Sequence, residues 1–149
     1  MIEHAKEVAE ELSALLAETY TLYLKTHSYH WNVTGPMFHS LHLMFEDQYT
    51  ELATAVDTLA ERIRALGFKA PGSYKAYAKL SRVEDDDTHP DAKTMLANLA
   101  RDHATVAERA NKVLKLADRH EDEGTMSLAS ARIEVHEKAA WMLRAHLED

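Results

Sequence analysis

At 149 residues the chain has the size of one domain with a single core, and its 46% hydrophobic content is spread with only four Gly and three Pro. Few turn residues favour long helices over many short strands. The absence of Cys excludes disulfides and thiolate chemistry, and a formal charge of −8 with no Lys/Arg-rich arm argues against nucleic acid as a natural partner.

The first expected helix runs from about residue 3 to 30, where Val8, Leu12, Leu15, Leu16, Tyr20, Tyr23 and Leu24 recur at three- and four-residue spacing. Its start is acidic and amphipathic, unlike a secretory leader, and no run is long enough to span a membrane, so a cytoplasmic location is expected. Asn32-Val33-Thr34-Gly35-Pro36 breaks the helix and reverses the chain. A second long helix carries Phe38, Leu41, Phe45, Tyr49, Leu52, Val56, Leu59, Ile63 and Leu66, and ends at Gly67. A crossover follows, holding Ala70-Pro71-Gly72, a short helical piece from Ser73 to Leu80, and the acidic run Glu84 to Asp87.

His89-Pro90-Asp91 introduces the third helix, with Met95, Leu96, Leu99, His103, Val106, Ala110, Val113, Leu114 and Ala117 on one face. It is expected to stop in Asp118-Arg119-His120-Glu121-Asp122-Glu123-Gly124. The fourth presents Ala129, Ile133, His136, Ala140, Leu143 and Leu147. Two helical hairpins joined by one long crossover make an all-α, ferritin-like four-helix bundle, here with a short extra helix in the crossover. One domain is expected over residues 1–149.

The second helix has a second face. At about 100° per residue from His42, Glu46, Asp57 and Glu61 fall near 40°, 60° and 100°, while the apolar stripe lies between about 240° and 340°. Imidazole and carboxylate on one arc are ligands suited to iron, manganese or zinc. Charges on a helix face are more often merely solvated, so the arc alone decides nothing. His42 and Asp57 are fifteen residues apart, about 22 Å along the axis, too far for one ion. His30, at the end of the first helix, can fold back over the reversal to meet His42 and Glu46. Positions 42 and 61 are centred between Glu51 and Leu52, and so are 46 and 57. Two copies of the helix packed antiparallel about a two-fold axis there would set His42 against Glu61 and Glu46 against Asp57, making two identical sites. Thr50, Ala53 and Thr54 near that midpoint are small enough for close approach.

His30-Trp31-Asn32, Thr34-Gly35-Pro36-Met37-Phe38, His42 and Asp57-Thr58-Leu59-Ala60-Glu61-Arg62 closely resemble the Dps family, the miniferritins named as DNA-binding proteins from starved cells. The likeness is strongest from Tyr20 to Gly67. It implies a hollow dodecamer with di-iron ferroxidase sites at two-fold interfaces: His30, His42 and Glu46 from one subunit, Asp57 and Glu61 from its neighbour, and Trp31 nearby. Family members often carry Asp where this chain has Glu46. The resemblance further implies an oxidoreductase that oxidises Fe(II), commonly with hydrogen peroxide and otherwise with dioxygen, and stores ferric mineral, protecting against oxidative damage. DNA binding is the family's other activity, with iron chemistry secondary to it, but this chain lacks basic tails and is expected not to bind DNA at neutral pH.

His27 and His39 flank the expected ligands and are candidates for supporting contacts or an accessory zinc site. Asp118, Glu121 and Asp122, in the expected turn between the last two helices, are candidates for an iron entry pore. Asp47 and Glu51, on neither the core face nor the ligand arc, are candidates for mineral nucleation. No Glu-x-x-His occurs, so the usual ligands of an intra-bundle di-iron site are missing.

Overall fold

A computed structural model describes residues 2–148, with side chains from residue 5 onward, so Met1 and Asp149 at the two ends of the expected domain lie outside the described residues. Five helices and no strand occur among them: α1 (Ile2–Asn32), α2 (Phe38–Ala65), α3 (Tyr74–Leu80), α4 (Ala92–Arg119) and α5 (Glu123–Ala145). α1 pairs with α2 and α4 with α5, while α1 also packs on α4 and carries α3 against its flank. This is the four-helix bundle with a crossover helix that the periodicity predicts.

Local chemistry sets the boundaries. Gly35 at φ 107° provides the left-handed residue of the α1–α2 reversal, and Gly67 at φ 99° ends α2. Asp91 caps α4 by accepting from Thr94 N at 2.8 Å, and Ser73 caps α3 by accepting from Ala76 N at 3.1 Å. The stripe residues Leu12, Leu15, Leu16, Leu41, Phe45, Leu59, Ile63, Met95, Leu96, Leu99 and Val113 are fully buried. Each large apolar side chain so removed from water contributes roughly 1.5–3 kcal/mol. Leu24 and Phe38 depart from the expected stripe and remain exposed.

The crossover is bolted down by polar groups. Glu18, fully buried on α1, accepts from the Arg82 backbone N at 3.0 Å and from Arg82 Nε at 3.1 Å, with Arg109 of α4 beside it. Lys25 Nζ lies 2.8 Å from Asp102 Oδ2 and donates to the Glu84 carbonyl at 2.8 Å. Tyr29 donates its hydroxyl to Asp86 and accepts from Asn98 at 3.1 Å. Bonds from Thr88 and Tyr29 hold the Asp86 carboxyl down at about 2.

The last hairpin turns within the expected run. α4 continues through Asp118 to Arg119, Glu121 makes the turn in a left-handed conformation at φ 55°, and α5 already begins at Glu123. Gly124 is therefore a helical residue and not the turn.

Candidate metal centre

The five-residue reversal after Asn32 returns the chain so that the first turns of α2 lie beside the last turn of α1. His30 and His42 face each other there with rings stacked at 3.9 Å and 13°. His30 Nδ1 lies 2.7 Å from the His42 carbonyl oxygen, and His42 Nδ1 lies 2.7 Å from that of His30. Carbonyl oxygens only accept, so both Nδ1 atoms carry the proton. Each ring is thereby fixed as the tautomer whose Nε2 has a free lone pair, the state a metal-ligating imidazole requires. Glu46, one turn after His42, places Oε1 3.9 Å from His30 Nε2. One donor atom from each of His30, His42 and Glu46 lies within 4.8 Å of the others, the single such cluster among the described residues. His30 is buried, His42 half-buried and Glu46 exposed, so the three are open on one side.

Asp57 and Glu61 are exposed at the far end of the same unbroken helix and do not join this cluster. Thr50, Ala53 and Thr54 between the two ends are exposed as well. One chain thus presents three donors at one end of an open strip and two at the other.

Residues 9–149 match the ferritin family, described as a ferritin-like domain. The DNA protection during starvation protein 2 of Bacillus anthracis is 37% identical over 142 residues, 95% of this chain and 97% of that protein. The Dps protein of Vibrio cholerae superposes with a TM-score of 0.95 at 33% identity, covering 99% of this chain and 92% of that one. A Dps protein from Bacillus brevis gives 0.94 at 32% identity, covering 98% of each. The chain belongs to the Dps family of ferritin-like proteins.

Within this Dps chain the surrounding residues fall into three groups. Half-buried His27 lies between Trp31, at 3.9 Å, and Tyr49, stacked at 4.1 Å, while Tyr49 also meets the His30 ring edge-on at 5.1 Å. Burial, and after it the neighbouring His30, pushes the His27 imidazole below its usual range. Trp31 itself is 59% exposed. His39 is exposed and stands outside the ligand cluster. Tyr49 was legible only as a stripe residue, because periodicity shows that a side chain is inward but not which ring it meets.

The acidic candidates separate as well. Asp47 is exposed. Glu51, expected to stand free, instead forms a bidentate pair with Arg132 of α5. Asp118 is exposed in the last turn of α4 and Glu121 is exposed in the turn itself. Asp122 is engaged: it accepts from Thr125 N at 3.1 Å as the N-cap of α5 and from Arg62 Nη2 at 2.7 Å. Arg62 also donates to Thr125 Oγ1 at 3.0 Å, which ties the end of α2, next to Glu61, to the start of α5.

The third group is a chain of polar contacts in the bundle centre that apolar periodicity conceals. Arg132 Nη2 lies 3.0 Å from His136 Nε2, and His136 Nδ1 lies 2.9 Å from His103 Nδ1. An arginine only donates, so His136 Nε2 accepts, His136 Nδ1 carries the proton, and His103 Nδ1 accepts it. His103 must then hold its own proton on Nε2, a buried atom without a hydrogen-bond partner. Burial keeps both rings neutral, His103 down to about 3 and His136 well below its usual range.

Proposed function

We propose that this protein oxidises ferrous iron at sites shared between two subunits, with hydrogen peroxide as the favoured oxidant and dioxygen as the alternative, and stores the ferric product within a closed shell of twelve copies. The observation that carries the reading is the reciprocal His30–His42 bonding, which aims two imidazole lone pairs at the side where Glu46 stands. Mixed imidazole and carboxylate ligation suits iron, and carboxylate oxygen stabilises the ferric product more than the ferrous substrate. Ferrous ions are the substrate here. A pair of them supplies the two electrons that reduce one peroxide to water without releasing a radical.

Three donors from one chain leave a site incomplete. Asp57 and Glu61 of a second copy, brought across a two-fold axis near Glu51 and Leu52, would complete it and add the negative charge that attracts a divalent cation. The exposure of Thr50, Ala53 and Thr54 supports close approach of two such helices. Exposed Asp118 and Glu121 are candidates for the entry route and Asp47 for nucleation, while Asp122 and Glu51 are held by Arg62 and Arg132 and are weaker candidates for free iron. His27 and His39 are candidates for an accessory zinc site. A cytoplasmic location accords with the reading; no helix among the described residues is long and apolar enough to cross a membrane.

The second reading is DNA protection by direct binding, after the name of the Bacillus anthracis relative. The charge of −8 weighs against it. The deciding experiment is anaerobic loading with Fe(II) followed by peroxide or air, monitored by ferric absorbance and by the density of the recovered particle. Oxidation no faster than in protein-free buffer, or ferric product that precipitates outside the protein, would refute the iron reading.

A further inference from the structure

Arg132 sets a positive charge into the polar chain of the bundle centre, and the groups around it are of the kinds that hold metal ions. Glu51 meets it with both carboxylate oxygens, Oε1 lying 3.0 Å from Nη2. The same Nη2 donates to His136 Nε2 at 3.0 Å. His136 in turn donates its Nδ1 proton to His103 Nδ1 at 2.9 Å. An imidazole whose one nitrogen donates to a fixed acceptor while the other faces a cation has the arrangement of a metal-ligating histidine. Gln48, one turn before Glu51 on α2, adds a buried amide oxygen with no hydrogen-bond partner among the described residues.

The guanidinium is not placed to satisfy its own bonds. Arg132 is buried, and its Nε has no partner among the described residues. A buried ion pair is weak evidence for stability, because apolar residues of similar volume often serve as well or better. What the arrangement secures is one positive charge between a carboxylate of α2 and an imidazole of α5. Metal sites in helical bundles are built in this way, from side chains on facing helices. Carboxylate, imidazole and amide oxygen together suit a divalent transition ion such as Co(II), Zn(II) or Fe(II).

We propose that Arg132 occupies a latent divalent-metal site, formed by Glu51 and His136 and oriented by His103, and so keeps metal ions out of the bundle centre. While the guanidinium is in place, the Glu51 oxygens and the His136 lone pair are taken. A divalent ion beside them would also be repelled by its charge. Arg132 is in this sense a specificity-determining residue, because His30, His42 and Glu46 stay the one donor cluster open to an ion among the described residues. The benefit rests on the proposed iron oxidation: Fe(II) bound in the bundle centre would be withdrawn from the shared sites.

The test replaces Arg132 and counts bound Co(II) in the assembled protein, without iron or oxidant. Arg132→Ala removes the charge and opens the space, so each subunit should bind one Co(II) more than the wild type. Anomalous scattering at the cobalt edge, from crystals of this variant, should place the added ion between Glu51 and His136. Arg132→Lys restores a positive charge and should return the count to that of the wild type. In the Arg132→Ala background, His136→Ala should abolish the added ion, and His103→Leu should weaken its binding by about tenfold or more. If Arg132→Ala does not assemble by itself, refolding with Co(II) should restore assembly, because the ion replaces the lost charge and binds only the folded state. An Arg132→Ala protein that gains no ion, or that Co(II) fails to reassemble, overturns the proposal. So does an added ion that survives His136→Ala or lies elsewhere in the crystal. No iron enters this measurement, so failure of the wild type to oxidise Fe(II) would overturn the function proposed above, while the cobalt count still decides the site.

Discussion

His30 and His42 hold each other's ring orientation through each other's main chain, the Nδ1 of each lying 2.7 Å from the carbonyl oxygen of the other. The pair therefore acts as a unit: loss of either ring removes one candidate ligand and frees the tautomer of the other. Asp57 and Glu61, at the opposite end of α2, belong to no such cluster of donors among the described residues.

The proposed sharing of the site between two copies gives a complementation prediction. His42→Ala and Asp57→Ala subunits, each assembled alone, should oxidise Fe(II) at least about tenfold more slowly than wild type, a loss of about 1.4 kcal/mol of barrier lowering. Unfolded together and co-refolded, they should recover part of the rate, because a mixed pair retains one site with every ligand. Rapid-mixing absorbance at the ferric band measures both. A single variant, correctly assembled, that oxidises iron at the wild-type rate would remove that residue from the site.

The grouping of His30, His42 and Glu46 in the candidate site was legible in the sequence because its geometry is helical arithmetic. A straight α2 fixes the arc of His42, Glu46, Asp57 and Glu61, and Gly35-Pro36 fixes the return that brings His30 over His42. The bundle centre was not legible. His103 and His136 sit at stripe positions, so burial could be read for each, but no local pattern relates residues on two different helices to Arg132 or to Glu51. The α4–α5 turn falls within the expected run, but the residue that makes it was not legible, for a related reason. An Asp- and Gly-rich run reads as a turn, yet Glu121 makes the turn, while Gly124 is kept small by the guanidinium of Arg62, which lies 2.9 Å from where a Cβ would stand.

That contact makes a prediction of sign. Ala in place of Gly favours a helix by up to about 1 kcal/mol, but at position 124 it pushes Arg62 away from Asp122 and Thr125. Hydrogen bonds involving a charged group are worth about 1.5–3 kcal/mol each. Gly124→Ala should therefore destabilise the wild type, by about 1 kcal/mol if one such bond is lost and the helix gain offsets the rest. In an Arg62→Ala background the same change should stabilise. Chemical denaturation of the four proteins of this cycle measures the coupling, and equal effects in both backgrounds would dismiss the clamp.

The buried histidine pair makes stability depend on pH. Both rings are neutral in the fold, where burial lowers His103 to about 3 and His136 well below the usual range. The unfolded chain titrates near the ordinary value of about 6.5. As pH falls below that value the unfolded state takes up protons that the folded state refuses, so stability is full above about 6.5 and is lost progressively down to about 3. Each ring contributes a slope approaching about 1.4 kcal/mol per pH unit. Urea midpoints at fixed protein concentration should fall steeply from pH 6.5 to 4.5. A His103→Leu/His136→Leu double variant should show a flatter profile, whatever its stability at pH 7. An unchanged slope in that variant would assign the acid sensitivity to other groups.

Duplex DNA should not be retained at neutral pH and physiological salt. Non-specific affinity for DNA comes chiefly from Lys and Arg displacing counterions from phosphates, and it falls steeply as salt rises. The chain has 17 basic residues against 25 acidic ones. The cations that the fold could offer are partly spent internally: Lys25 on Asp102, Arg62 on Asp122, Arg109 on Glu11, and Arg132 on Glu51. Assembly would multiply the negative charge, so repulsion acts before contact, although salt screens it beyond a Debye length of about 8 Å at physiological ionic strength. Burial keeps His103 and His136 neutral, so they cannot add positive charge on mild acidification. A gel shift with linear duplex at pH 7.5, without divalent metal and across a salt series, should show free DNA throughout. Retardation that survives moderate salt would reveal a basic surface created by assembly and would favour direct DNA protection over iron chemistry alone.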